Sequence, residues 1–423
     1  MPLCVLLLLG LTCAFSTLAD IQYAGVNLSG TEFGQNVLPG NYGSQYIYPN
    51  QAEVDYFRSK GMNTIRLPFR WERLQRTNNA ALNVTELSHM NTFVSATTAK
   101  GVYVILDPHN FARYYPNPRN DYQTATDGLL GTTVPYANFA DFWSRVAAVY
   151  KTNDHVIFGL MNEPANMATE EWLDAANAAI AAIRATGATN LILVPGNAYT
   201  GAWTWFDNWY GTPNAIVMTN IVDSGNNFAF EVHQYVDSDG SGTTTNISGG
   251  ASVGVTRLSN FTQWLKAHHY KGFLGEFGIA NVTVANGIGG ATISNMLAHV
   301  QTNSDVWLGW TWWAGGPWWA QDMIFLLDPA NLGQPGQTDK PAMTVLKNFI
   351  PIPIPVLAMA ANQFQFITQS GFVYQPQTST DLTGDNWANL GSAIMGSNQT
   401  VSITMPVNSG SQGFYRVSTS HAP

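Results

Sequence analysis

Apolar residues along this chain fall into two alternating patterns. Short runs rich in β-branched, aromatic and aliphatic residues cover 22–27, 63–67, 102–107, 156–161, 191–194, 228–233, 272–276 and 306–310. Between them lie stretches with apolar residues at helical spacing, at 52–61, 87–101, 139–151, 169–187, 258–268 and 292–301. Gly61, Gly101 and Gly187 stand where helices usually stop, and Thr169 stands where one can start. Alternating strand and helix predicts a parallel sheet. Eight repeats at this length predict a closed (β/α)8 TIM barrel, an α/β fold, rather than an open doubly wound sheet. No Gly-x-Gly-x-x-Gly follows the first run, which argues against a dinucleotide fold.

The pattern changes near Phe349. Pro351, Pro353 and Pro355 alternate with Ile352 and Ile354, which forces an extended, semi-rigid segment. Beyond it, short apolar runs broken by Gly, Asn, Ser and Asp predict a small C-terminal antiparallel β domain. At the other end, Val5 to Leu9 with Leu11 form a short apolar core, and Thr17-Leu18-Ala19 resembles a cleavage site. The expected organisation is a signal peptide at 1–19, a barrel at 20–350, a Pro-rich linker at 351–357 and a β-sandwich-like module at 358–423. Secretion to the extracellular space follows, with no membrane anchor in the mature chain. Both cysteines, Cys4 and Cys13, fall in the leader, so no disulfide or thiolate site is expected afterwards.

The formal charge of -9 and a charged fraction of 11% argue against nucleic acid as a partner. With 14 Trp and 17 Tyr, the chain is rich in rings that stack on sugar faces, although a large aromatic core would show the same counts. In a (β/α)8 barrel, functional groups sit at the C-terminal strand ends. Those ends carry Arg66, then Asp107-Pro-His109-Asn110, Asn162-Glu163-Pro164, His233-Gln-Tyr235, Gly275-Glu276-Phe277 and Trp310-Thr-Trp312-Trp313. Two of them offer glutamates. Glycoside hydrolysis needs one protonated carboxyl for the leaving oxygen and one ionised carboxylate at the anomeric carbon. Each motif alone has a plainer reading: a turn, a core histidine or a structural ion pair. Their specificity lies in their convergence on one mouth.

Together the motifs resemble family 5 glycoside hydrolases, within it the fungal-type endo-β-1,4-glucanase (cellulase) group, over about residues 23–350. The matching segments are 25–34 (GVNLSGTEFG), 66–69 (RLPF), 107–110 (DPHN), 113–115 (RYY), 162–163 (NE), 196–197 (GN), 200–205 (TGAWTW), 233–243 (HQYVDSDGSGT), 275–277 (GEF) and 312–319 (WWAGGPWW). The resemblance implies Glu163 as acid/base and Glu276 as nucleophile. It implies Asn162 on the sugar 2-hydroxyl, Arg66 and Tyr235 on the nucleophile, and His109 and His233 bonded to sugar and catalytic side chains. Asn110, Tyr199, Trp203, Trp313 and Trp319 would line the substrate, with Trp205 a further candidate. The implied partner is a β-glucan polysaccharide, taken by a monomer with no metal and no organic cofactor.

Some features depart from the family or stay outside it. Fungal members carry cysteines that this mature chain lacks, and Tyr199 stands where Trp is usual. Asp237-Ser-Asp239-Gly-Ser241 begins like a calcium loop, but Ser248 occupies the position that needs Glu. Sequons begin at Asn83, Asn246, Asn260, Asn281 and Asn398. In the C-terminal module only Trp387 stands out as a possible glucan platform, and a stabilising or attachment role is the simpler reading. Another β-1,4 polysaccharide, such as mannan or xyloglucan, and a non-catalytic glucan-binding role are the alternatives.

Overall fold

The computed structural model describes residues 21–115, 128–360, 362–381, 386–406 and 413–422. The expected leader, with Cys4 and Cys13, lies outside them. Eight parallel strands close on themselves in sequence order: β1 (Tyr23–Leu28), β2 (Thr64–Phe69), β3 (Tyr103–Pro108), β4 (Val156–Gly159), β5 (Ile192–Pro195), β6 (Phe228–His233), β7 (Gly272–Glu276) and β8 (Trp307–Gly315). Tyr23 pairs with Gly309, sealing β1 against β8. β8 runs past its expected end, so Trp312 and Trp313 belong to the strand.

The major helices surround the barrel at Gln51–Ser59, Val84–Thr98, Tyr136–Tyr150, Thr169–Ala185, Val253–His268 and Ile288–Thr302. The first is fixed by reciprocal bonds between Asn50 and Glu53, which satisfy donors at the helix start. Thr169 lies inside its helix, and Ala168 is the cap. Short helices at Trp71–Leu74, Asn214–Val217, Asn281–Ala285 and Pro341–Leu346 span too few residues to show an apolar period. Trp143, Trp172, Trp205 and Trp307 are fully buried in the main core cluster. Inside the barrel, Ile105, Ile157, Leu193, Ala229 and Phe273 form a separate apolar cluster. The inward positions two residues further along β3 and β6 are Asp107 and Glu231. The barrel interior thus changes from apolar to charged just below its mouth.

The C-terminal region is antiparallel throughout. Strands β9 (Ala358–Ala360), β10 (Gln363–Ile367) and β14 (Thr400–Thr404) form one sheet. A second contains β11 (Phe372–Ser379), β12 (Ala388–Asn389), β13 (Ile394–Met395) and β15 (Phe414–His421). Phe364, Phe366, Phe372 and Tyr374 are buried in the same apolar cluster as the barrel's outer core. Gly61 makes this docking possible. Its φ is +94°, and a Cβ there would stand 2.8 Å from the Phe372 ring. Gln369 Nε2 donates to Gly61 O at 3.2 Å, and His421 Nε2 donates to Ile350 O at 2.7 Å. Trp387 is half-buried, with the Arg416 guanidinium over its ring at 4.3 Å.

Candidate active site

Arg66 is the hub of the barrel mouth. It projects from β2 with no exposed side-chain surface. Nη1 donates to Glu276 Oε1 and to Asn27 Oδ1, each at 2.9 Å. Nη2 donates to Asn162 Oδ1 at 3.0 Å and lies 3.2 Å from Asp107 Oδ1, while Nε lies 2.9 Å from Glu231 Oε1. Burial works against this charge, but Asp107, Glu231 and Glu276 outweigh it and raise the Arg66 pKa. Four strands besides its own, β1, β3, β6 and β7, are therefore tied through one guanidinium.

Glu276 closes β7. Its second oxygen accepts from the Tyr235 hydroxyl at 2.9 Å. Burial pushes the Glu276 carboxyl up to about 7, against the pull of His233 and Arg66. Tyr235 is raised well above its usual range, first by burial and then by Glu276, so it remains a proton donor. Its carbonyl accepts from Arg257 Nη1 at 2.6 Å, and its ring stacks on Phe325 at 5.8 Å.

Glu163 follows β4 in a left-handed conformation, φ +43°, uncommon for a side chain with a Cβ and often tied to function. Its Oε1 lies 2.7 Å from His233 Nδ1, and that nitrogen lies 3.5 Å from Glu276 Oε2. One imidazole thus contacts both carboxylates. An oxygen of Glu163, one of Glu276 and a His233 nitrogen all lie within 4.8 Å of one another, close enough to share an ion geometrically. Arg66 already supplies positive charge to this cluster.

Two hollows open at the mouth, one bordered by Glu163 and one by His109 and Trp313. One, of about 450 Å³, joins Glu163 to Tyr199, Trp203 and Trp209, with Gln234, Asp239 and Ser241 among its polar lining. The other, of about 720 Å³, is lined by His109, Trp313, Trp318, Trp319, Phe33 and Glu32, among others. His109 stacks on Trp313 at 5.5 Å, and Trp319 meets Trp313 and Phe33 edge-on. His109 Nδ1 lies 2.9 Å from Asp107 Oδ2. Burial, then Arg70 and Arg66, hold His109 well below the usual histidine range, so the ring is neutral. An N–H at Nδ1 facing Asp107 leaves Nε2 as the acceptor.

This mouth is an aromatic-lined cleft over paired carboxylates. The family model described as "Cellulase (glycosyl hydrolase family 5)" matches residues 20–316. The chain belongs to glycosyl hydrolase family 5. It is similar to an endo-β-1,4-glucanase B of Aspergillus niger, 38% identical over 309 residues, covering 73% of this chain and 85% of that one. Among solved structures it resembles the endo-β-1,4-glucanase Xac0029 of Xanthomonas axonopodis pv. citri, 42% identical with a TM-score of 0.72, covering 78% of this chain and 98% of that one. An endoglucanase of Pseudomonas stutzeri, solved in complex with cellobiose, is 29% identical with a TM-score of 0.66, covering 78% of this chain and 92% of that one.

The family 5 barrel brings Arg66, His109, Asn162, Glu163, His233, Tyr235 and Glu276 to one mouth. Tyr199, Trp203, Trp313 and Trp319 line the two hollows. Ala198, Tyr199 and Thr200 all have positive φ, between 49° and 57°, a kinked turn after β5. Asn110 is placed differently from expectation. It is fully buried, its oxygen accepts from Trp71 N, and its Nδ2 contacts Glu72 and Arg113 O, so it braces the mouth from behind. Trp205 is also fully buried, packed on Phe230, Phe261 and Trp264. The Asp237 carboxylate accepts from the amides of Gly242, Thr243 and Thr244, so it holds its own loop closed.

Sequence reasoning passed over Asn27, Glu231 and Trp209. Glu231 had a signal: it interrupts Phe-Ala-Phe-x-Val-His two residues before His233, on the same strand face. Trp209 is 54% exposed, large for an isolated tryptophan, but nothing in its local sequence separates it from a loop residue.

Proposed function

We propose that the chain is a retaining endo-β-1,4-glucanase, with Glu276 as nucleophile and Glu163 as acid/base. The observation that carries this is the asymmetry of the two carboxylates. Glu276 receives hydrogen bonds on both oxygens, from Arg66 and Tyr235, which orient it and favour its ionised form. Glu163 borders the hollow lined by Tyr199, Trp203 and Trp209, where a departing chain would lie. One oxygen of each lies within 4.8 Å of the other, short of the roughly 6.5–9.5 Å gap that leaves room for a water in inverting enzymes.

In the first step the Glu276 carboxylate attacks the anomeric carbon. The glycosidic bond breaks, and Glu163 gives its proton to the departing oxygen. In the second, Glu163 takes a proton from water, the water oxygen attacks the same carbon, and Glu276 leaves as a carboxylate. Asn162 has its oxygen fixed by Arg66, so its amide N–H groups serve the sugar 2-hydroxyl. His109 Nε2 accepts from a hydroxyl, and Trp313 stacks under the ring to be cleaved. The named relatives act on β-1,4-glucan, which supports that backbone over mannan or xyloglucan. The leader-like composition of residues 1–19 supports action outside the cell, and we take the working form to be a monomer.

Azide rescue tests the two roles. With an activated aryl cellobioside, Glu163→Ala should regain turnover in azide and give the β-glycosyl azide, while Glu276→Ala should give the α-product. Exchanged products would reverse the assignment, and no rescue of either would remove it.

A further inference from the structure

Beneath the two carboxylates lies a third that the reaction above does not use. Glu231 precedes His233 by two residues on β6, so both side chains face the barrel interior. It is fully buried. Its Oε1 lies 2.9 Å from Arg66 Nε and 3.5 Å from His233 Nε2. Glycine on a neighbouring strand makes room for it: a Cβ at Gly275 would stand 2.1 Å from that oxygen. A buried carboxylate is costly unless paired, and the partners within reach are the two cations of the site.

We propose that Glu231 is a positioning residue that holds His233 as a doubly protonated imidazolium, keeping its Nδ1–H aimed at Glu163 and Glu276. The proposal rests on the roles given to those two glutamates. With Nε2 against Glu231, a neutral ring would carry its single proton there and leave Nδ1 bare. Once Glu163 has given its proton away, a bare Nδ1 gives no hydrogen bond to its carboxylate at 2.7 Å and faces Glu276 at 3.5 Å without a proton. The charged ring points an N–H at Glu163 from Nδ1 at 2.7 Å and sets its Nε2 in ion-pair contact with Glu231 at 3.5 Å. It then forms a proton-sharing pair with Glu163, and Glu231 decides how tightly the pair keeps its proton.

The surroundings agree. The charged groups around Glu231 and His233 are Arg66 from β2, Asp107 from β3, Glu163 after β4 and Glu276 from β7. Burial opposes a charge on His233, but Glu276, Glu163 and Glu231 raise it to about 10. Glu231 itself is lowered, because Arg66 and His233 outweigh its burial. Removing the Glu231 charge weakens the hold of His233 on its proton and leaves Arg66 freer to stabilise ionised Glu276.

Glu231→Gln, assayed as kcat/KM against pH on soluble β-glucan, separates positioning from packing. Both limbs of the profile should move toward acid, by on the order of one pH unit, with kcat lowered more than KM is changed. Glu231→Asp, which keeps the charge, should restore the original limbs. Uniformly lower activity with both limbs in place would reduce Glu231 to a packing role. Nitrogen NMR of His233 in the unaltered enzyme gives an answer that needs no variant to fold. Both ring nitrogens should be protonated at neutral pH, and a neutral ring there would overturn the proposal. That spectrum reads no activity, so its failure is distinct from failure of the azide test.

Discussion

The Tyr235 hydroxyl donates to Glu276 Oε2 at 2.9 Å, while Arg66 holds the other oxygen of the same carboxylate. Glu276 is thereby fixed in plane and rotation before a sugar arrives. Tyr235→Phe removes one donor and little volume. A hydrogen bond to a charged group is worth about 1.5–3 kcal/mol, so kcat should fall roughly tenfold to over a hundredfold. The lost donor also raises the Glu276 pKa, so the acid limb of kcat/KM should move to higher pH. A smaller loss with the limb unmoved would mean that Arg66 alone orients the nucleophile.

The buried charges predict how stability varies with pH. Glu276 is raised from 4.5 to about 7, first by burial. Burial likewise raises Asp107 from 3.8 to about 7. His233 is raised from 6.5 to about 10, its carboxylate neighbours overcoming burial. In all three the folded chain keeps a proton that the unfolded chain releases. Stability therefore falls as pH rises through each window. The His233 share is complete below its unfolded value and gone above its folded one. Glu231 is lowered and has the opposite sign, losing its contribution under acid. Calorimetry should find the highest Tm near about pH 5 and a steady decline toward about pH 9. A Tm that rises over that range would show that these groups do not govern folding.

How much of this was legible follows from where each residue stands. Arg66, Glu163, His233 and Glu276 are polar groups at the ends of apolar runs, and barrel closure turns those ends into one mouth. Glu231 lies inside a run, where a charge reads as outward-facing until closure shows that Ala229, Glu231 and His233 share the inner face. Asn110 misleads by adjacency. It follows His109, yet its side chain turns back to Glu72. Trp203 and Trp205 are two apart in one motif, but one is 37% exposed and the other fully buried. The turn that parts them is set by Gly201 and by Gln234 accepting from Trp203 N, neither visible as a pattern.

Trp209 lines the hollow beside Glu163 together with Tyr199 and Trp203, and is 54% exposed. It should therefore stack on the departing end of a long substrate. Trp209→Ala should lower kcat/KM on cellopentaose by roughly fivefold, from about 1 kcal/mol of lost stacking. An aryl cellobioside, whose leaving group is too short to reach it, should be cleaved as before. Equal losses on both substrates would point to a general loosening of the loop.

The C-terminal sheets give the last prediction. Ile354 and Val356 are 91% and 86% exposed, so residues 351–357 run as an open connection. The contacts beyond it are made with barrel residues: Phe372 lies against Gly61, and His421 donates to Ile350 O. Ile350 itself is fully buried. A chain ending at Ile350 keeps every residue of the cleft, so its kcat on soluble glucan should match that of the full chain. It also uncovers the apolar surface around Gly61 and Ile350, so its Tm should drop by a few degrees. Trp387 carries Arg416 over its ring, which leaves it poorly placed as a flat platform for glucan. Binding to insoluble cellulose should then be unchanged by the truncation. A marked loss of binding with Tm intact would make the module a glucan-binding one, and an insoluble product would make it part of the barrel's own fold.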